Sequence, residues 1–443
     1  MSLTRIFILT WVCISLGGAC MGEENQAPLR LTLKDVLQKA DVVNLQVMMA
    51  NARLDQAIAR IAISQADLLP HIDGVVSGGR QTSDLRAEGL KIPIPGFKTQ
   101  IGPYNDFNAR PRLTVALFDP SAFERFQAAK KGEIFSQAQL QKTREDILAL
   151  VANLFVDAQR KQQTVGLLKT LLAKDQMAYE LSETGFSQGT GTAINANKYK
   201  SDLDQTRYSY QQAVVLALDA CMDLAAALQL PLDQPLLLLE DKSFLKLVEK
   251  ETDTTPNFKT NVNLGLAASQ LDLNLADQKT AQADFLPKIS GSADYGRMGE
   301  SPDHSSNTYA VGLQANIPIW DGGAQQANLK AVKRQVKESQ ESLLDAAQQA
   351  RLQVASARAA IIEAKDLRQA KVQKRQTAQK ALKIALQAQQ TGSGSVLEVM
   401  IAKADLALDE DEYNEAQAFW VMSHINWLYA QGRLRDLVKI EGE

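Results

Sequence analysis

The chain has 443 residues, a formal net charge of −3, 45% apolar residues and only 6% aromatic ones. That length fits two or three ordinary domains or one elongated body, and long stretches of Ala, Gln, Leu, Lys and Asp favour extended helices over a compact mixed globule. The near-neutral balance argues against a nucleic-acid binder, which normally carries a basic excess.

The first 20 residues read as an export signal. Arg5 supplies a basic start, Ile6–Leu16 an apolar run, and Gly17, Gly18 and Ala19 the small residues that follow. The run is well short of the roughly 20 residues a spanning helix needs, and no later segment is long and apolar enough. Membrane entry is therefore expected as a β-barrel, the other structure that satisfies its backbone in lipid. Cys20 follows LGGA, which resembles a lipoprotein cleavage box with Gly17 where a branched residue is usual. Cys20 is a candidate for lipidation; ordinary cleavage near Ala19 or Cys20 is the alternative. Cys221 lies in a helical apolar pattern and reads as a small core residue, and no disulfide framework is implied.

Beyond the signal the chain is written twice. Gln65–Gly74 and Gln282–Gly291 share the pattern QAD-φ-LP-x-I-x-G, where φ is apolar, and Val115–Asp119 (VALFD) matches Ile317–Asp321 (IPIWD) after a shorter interval in the second copy. The first repeat is expected over 21–229, a connector over 230–256 and the second repeat over 257–443. In the first repeat, a helix over 31–69 ends at Pro70. Strands follow at about 72–80 and 111–118, then a long helix over about 121–187, a turn at Gly185–Gly191 and a last helix over 193–229. In the second, a helix over 257–286 ends at Pro287. Strands follow at about 289–297 and 309–317, then a long helix over about 324–390, a turn at Thr391–Ser395 and a helix over 396–431. Proline ends each first helix because it cannot extend the hydrogen-bond ladder. Asp67 and Asp284 hold the same place before Pro70 and Pro287. This symmetry favours a structural part at the helix–barrel junction over a paired-carboxylate enzyme site. Asp119 and Asp321 read as acids capping the long helices. The connector, with Pro231, Pro235, Pro256 and the run LLLLE, reads as irregular chain packed outside the helices.

Each long helix would reach about 100 Å at 1.5 Å per residue. In the second copy Leu329, Val332, Val336, Leu343, Ala347, Ala350, Val354, Ala357, Ile361 and Ala364 recur mostly in threes and fours, a coiled-coil seam. The clearest strand is Tyr309–Ile317, whose apolar residues alternate with small or polar ones. Its length suits a tilted transmembrane strand of roughly 9–11 residues. The chains 81–108 and 298–307 read as loops at the far end. Four strands cannot close a barrel, and an open edge in lipid leaves backbone groups unpaired, so several chains must contribute to one barrel. Trp320 and Phe118, at matched strand ends, suit the membrane–water boundary. Trp420 and Trp427 suit packing.

No catalytic, cofactor or metal site is legible. His71, His304 and His424 lack ligand spacing, and the Gly-rich turns lack the Lys of a phosphate loop. The protein is not expected to be an enzyme. Two classes remain: a conduit, or an exported coiled-coil protein that tethers the envelope without conducting.

The order of elements, with QADFLP at Gln282–Pro287, IPIWDGG at Ile317–Gly323 and TGSGSVLEV at Thr391–Val399, resembles the TolC-like outer-membrane efflux family (outer membrane factors) over nearly the whole mature chain. The resemblance implies a mainly α fold with a transmembrane β-barrel contribution: a homotrimer with four strands per chain in a 12-stranded barrel and a long periplasmic α-barrel. It implies efflux or type I secretion from a periplasmic adaptor (membrane fusion protein) and an inner-membrane transporter, in outer-membrane lipid, with no cofactor and no nucleic acid. It also places the gate at the two turns. Glu398 stands at the first of two carboxylate positions, and Ile401 stands at the second. Gly394 stands where an arginine is common, Gln389 where an aromatic is common, and Thr192 at a threonine of the first turn. Gly392 belongs to the same gate region. Three Glu398 carboxylates about a threefold axis would attract cations; the other reading makes Glu398 an ordinary acid at a helix N-terminus.

Overall fold

A computed structural model of the chain describes residues 28–87, 89, 98–240, 245–246, 248, 250 and 256–439. In the first half, strand β1 (Leu29–Thr32) leads into helix α1 (Leu33–Val43) and then α2 (Leu45–Ala66). Strands β2 (His71–Asp84) and β3 (Gln100–Phe118) follow, then α3 (Pro120–Ser187), α4 (Ala193–Ala227) and β4 (Leu236–Leu239). The second half holds α5 (Val262–Ala283), β5 (Lys288–Gly299), β6 (Ser305–Asn316), α6 (Ala324–Gln390), α7 (Val396–Ala430) and the short α8 (Asp436–Lys439).

The two long helices, of 68 and 67 residues, are each about 100 Å long. No single partner matches them. Instead α2 and α4 lie along α3, and α5 and α7 along α6. The joint between the short helices is built from asparagine. Asn44 caps α2 by accepting from Gln46 N at 2.9 Å, and its Nδ2 donates to Ala227 O, at the end of α4, at 3.0 Å. Asn261 caps α5 and donates to Ala430 O, at the end of α7, at 2.8 Å.

The fully buried side chains gather halfway along the rods. Leu148, Val151 and Phe155 of α3 meet Val36 and Leu37 of α1, Leu224 of α4, Ile425 and Leu428 of α7, and Leu434. Elsewhere the seam is small: Ala350, Ala357 and Ala364 are buried along α6 and allow close helix approach. Farther along, α6 and α7 are zipped by cations over aromatic faces. Arg368 lies 4.6 Å from the Trp420 ring and Arg375 3.9 Å from that of Tyr413. Trp427 is buried with Trp420.

Three readings of the sequence are corrected. The helix expected over 31–69 is broken at Asn44, whose extended backbone (ψ 131°) ends α1 and whose amide docks on Ala227. The connector is not wholly irregular: Leu236–Leu239 pairs in parallel with Leu29–Thr32. Much of the expected loop 81–108 is strand, because β2 continues to Asp84 and β3 begins at Gln100. Cys221 is half-buried, and its Sγ lies 3.3 Å from Gln162 Nε2. Among the described residues no helix is long and apolar enough to cross a membrane.

Candidate functional site

The four long strands form one antiparallel sheet in the order β2-β3-β5-β6. Cross-strand partners share a face, so the register sorts the side chains. Ile72 faces Leu113, Leu113 faces Ala293, and Ala293 faces Val311. This row, with Val76, Ile289, Tyr309 and Leu313, makes one face apolar. The next row is Asp73, Arg112, Asp294 and Ala310; with His71, Thr114, Ser292 and Gln314 it makes the other face polar. On the polar face Arg110 and Asp294 pair at 2.8 Å.

The apolar face covers no core of its own. Ile72, Val76, Tyr309, Val311 and Leu313 are all 75–78% exposed. Contiguous apolar surface of this kind is matched by lipid rather than water. At the helix end of the sheet, Phe118, the last residue of β3, is 50% exposed, and Trp320, four residues beyond β6, is 81% exposed.

Asp67 and Asp284 are the C-caps of α2 and α5, and Pro70 and Pro287 stand one residue before β2 and β5. Asp284 Oδ1 lies 3.6 Å from Lys288 Nζ, and its carbonyl accepts from Gln325 Nε2 at 3.1 Å, which ties the end of α5 to the start of α6. Asp119 caps α3 by accepting from Ala122 N at 2.9 Å. Asp321 acts two residues before the Gly323 cap, accepting from Gly323 N at 3.1 Å and Gln325 N at 2.8 Å.

At the opposite end, the two turns share one hydrogen-bond plan. Thr190 N and Gly191 N both donate to Gly185 O at 2.9 Å; Ser393 N and Gly394 N both donate to Ala388 O at 3.0 Å. Gly189 (φ 76°) and Gly392 (φ 75°) hold the same left-handed position. A side chain at Gly394 would put its Cβ 3.0 Å from Ala388 Cβ, and one at Gly191 2.9 Å from Phe186 N. The tightness of the turn thus accounts for glycine at both places. Thr192 and Ser395 cap the outgoing helices, accepting from Asn195 N at 3.3 Å and Glu398 N at 3.2 Å. Glu398 completes a capping box: its Oε2 accepts from Ser395 N at 2.8 Å. Its first-turn counterpart is the uncharged Asn195. Sequence reasoning passed over Gly189 and Gly191 as site residues, although their spacing from Thr192 repeats that of Gly392 and Gly394 from Ser395. Cys20 lies outside the described residues. Among the described residues no cluster of three or more His, Cys, Asp or Glu has the arrangement of a metal site.

Solved structures share this arrangement. The Campylobacter jejuni CmeC outer membrane channel superposes with a TM-score of 0.74 at 18% identity, covering 90% of this chain and 85% of that one. The outer membrane protein VceC of Vibrio cholerae superposes at 0.70 with 17% identity, covering 90% and 96%. The fold is that of the TolC-like outer-membrane channels. A family model described as outer membrane efflux protein matches residues 36–228 and 259–426, and the chain belongs to that family. The probable efflux pump outer membrane protein TtgC of Pseudomonas putida is 24% identical over 324 residues, 68% of this chain; the match spans 62% of that relative's length. The proteases secretion protein PrtF of Dickeya chrysanthemi is 21% identical over 455 aligned positions, 98% of this chain and 93% of the relative. Family and fold are those of transport channels rather than enzymes.

Proposed function

We propose that the chain is one subunit of a homotrimeric outer-membrane channel that carries exported substrates from a periplasmic adaptor and an inner-membrane pump to the outside. The observation that carries this reading is the open sheet. Its apolar face lies bare, and its edge strands β2 and β6 each have a neighbour on one side only. Unpaired edges are unsustainable in lipid, so β6 of one copy must pair with β2 of the next until the barrel closes. Three copies supply twelve strands, with the polar face that carries Asp73, Arg112, Gln314 and Asn316 turned to a wet lumen. The helices, in register below the sheet, continue the wall into the periplasm. A tether has no use for a two-faced sheet of this kind. The relatives' names, an efflux pump component and a protease secretion protein, support export as the task.

The experiment is conductance of the detergent-purified protein in a planar lipid bilayer. Discrete steps of uniform size are expected. Silence that persists after the two helical tips are trimmed would remove the conduit and leave a tether.

A further inference from the structure

Resting on the outer-membrane channel reading, we propose that the first turns of α6 form a binding site for the anionic headgroup of a glycerophospholipid in the periplasmic leaflet. Between Gly322 and Lys337 the chain carries Lys330, Lys333, Arg334 and Lys337 and no acidic residue. All four are exposed. Their spacing puts them on one side of the helix. They border a cleft of about 380 Å³ whose apolar part is Phe285 and Leu329. A cationic rim around an apolar floor fits an amphiphile: phosphate on the rim, the start of an acyl chain against Phe285.

Three placements favour lipid as the occupant. First, α6 starts four residues beyond Trp320, which is 81% exposed after the 93% exposed Ile319 at the end of the apolar sheet. The four cations thus lie roughly 9–20 Å along the helix from its start. Second, helical side chains lean toward the N-terminus, which here is toward the sheet, so the long Lys and Arg stems point up to the headgroup layer. Third, the stripe faces outward. Lys330, Lys337, Leu344, Arg351 and Arg358 recur every seven residues and share a face that drifts about 20° per heptad. On that face the Arg351 guanidinium lies 4.8 Å from the ring of Phe258, in the chain that leads from the connector into α5. A second layer on a tube lies outside it. Clustered Lys and Arg beside a bilayer attract anionic headgroups within a Debye length.

The test is native mass spectrometry of the purified trimer, delipidated and then titrated with phosphatidylglycerol or phosphatidylcholine. Retention of one phosphatidylglycerol per subunit is expected, about tenfold weaker in the fourfold variant Lys330→Gln, Lys333→Gln, Arg334→Gln, Lys337→Gln. A Lys380→Gln, Lys383→Gln control near the far end of α6 should bind as the parent does. Equal retention of phosphatidylcholine, or undiminished phosphatidylglycerol in the fourfold variant, overturns the site. Displacement by an equal concentration of glycerol phosphate also overturns it, in favour of a free-phosphate site. If the fourfold variant fails to assemble, Lys333→Gln alone serves, with a weaker but measurable loss expected and no loss overturning the site. Conductance of the same samples separates the two claims: a silent bilayer beside selective phosphatidylglycerol retention counts against the channel and not against the headgroup site.

Discussion

Asn44 and Asn261 close the same joint in the two halves of the molecule: each caps a short helix with its side-chain oxygen and reaches, with its amide nitrogen, the last carbonyl of the helix below. Replacing either with alanine removes a cap and a tether together. Asn44→Ala and Asn261→Ala are each expected to cost about 1–2 kcal/mol of stability. Hydrogen exchange should rise first at the opening turns of α2 or α5; unchanged protection there would show that packing alone holds the joint.

The ends of α4 and α7 offer a matched pair of backbone tests. Leu230 N donates to Ala225 O and Arg433 N to Leu428 O, both at 2.9 Å, the closing bond of a Schellman motif. The left-handed residue is Gln229 (φ 54°) in one half and Gly432 (φ 65°) in the other. Gln229→Gly should stabilise the protein by about 1 kcal/mol, since it relieves a strained φ. Gly432→Ala should destabilise it by more than about 1 kcal/mol, because the new Cβ would sit 2.5 Å from Thr260 O. Thermal melts of the two variants should move in opposite directions.

Glu145 makes stability depend on pH. It is buried in α3, and accepts from Leu434 N at 2.9 Å and Arg435 N at 3.1 Å, holding the C-terminal segment. Burial pushes its carboxyl up to about 7 from 4.5, against the pull of the two backbone donors. The folded state therefore keeps a proton that the unfolded chain releases. The stabilisation is complete below about pH 4.5 and is lost as pH rises to about 7, amounting to roughly 3 kcal/mol. In Glu145→Gln that component of the pH profile should vanish. A slope that survives in the variant would assign it to other groups.

Glu398 joins two readings that one pair of variants separates. Glu398→Ala removes both the capping-box acceptor and any ring of carboxylates at the tip. Ser395→Ala removes only the hydroxyl that accepts from Glu398 N. Both should lower local helix stability by about 1 kcal/mol. If the three carboxylates bind cations, only Glu398→Ala should weaken block of conductance by divalent ions at the periplasmic side. Equal block in all three proteins would leave Glu398 a cap.

The long helices and the clearest strand were legible because their signals are local. Ala350, Val354, Ala357 and Ala364 spell the seam within one helix, and Tyr309 to Leu313 alternate within one strand. What escaped depends on distant partners. Nothing near Asn44 interrupts the helical pattern strongly; the break is fixed by a carbonyl 183 residues away. The Leu236–Leu239 run becomes a strand because Leu29–Thr32 lies beside it. Gly102, Pro103, Asn105 and Asp106 carry turn chemistry, yet all lie within β3: Asn105 and Asp106 pair with Arg80 and Gly79, and Gly102 and Pro103 fall at the register shift beside Gln81–Ser83. The basic stripe of α6 was readable as four cations without an acid, but its meaning needed the cleft beside Phe285.

The asparagine joints also set how the wall bends. In each half an unspliced rod runs beside a spliced strut, and each splice is bridged by an asparagine amide; at the second, Gln431 Oε1 also accepts from Asn257 N at 3.3 Å. Push along the axis is carried by helix on helix, whereas a sideways push at the splice is met by the packed core around Leu224 and Leu428 and by the asparagine amide rather than by continuous backbone. Each strut can therefore change direction at Ala227 or Ala430 while the rod beside it runs on unbroken.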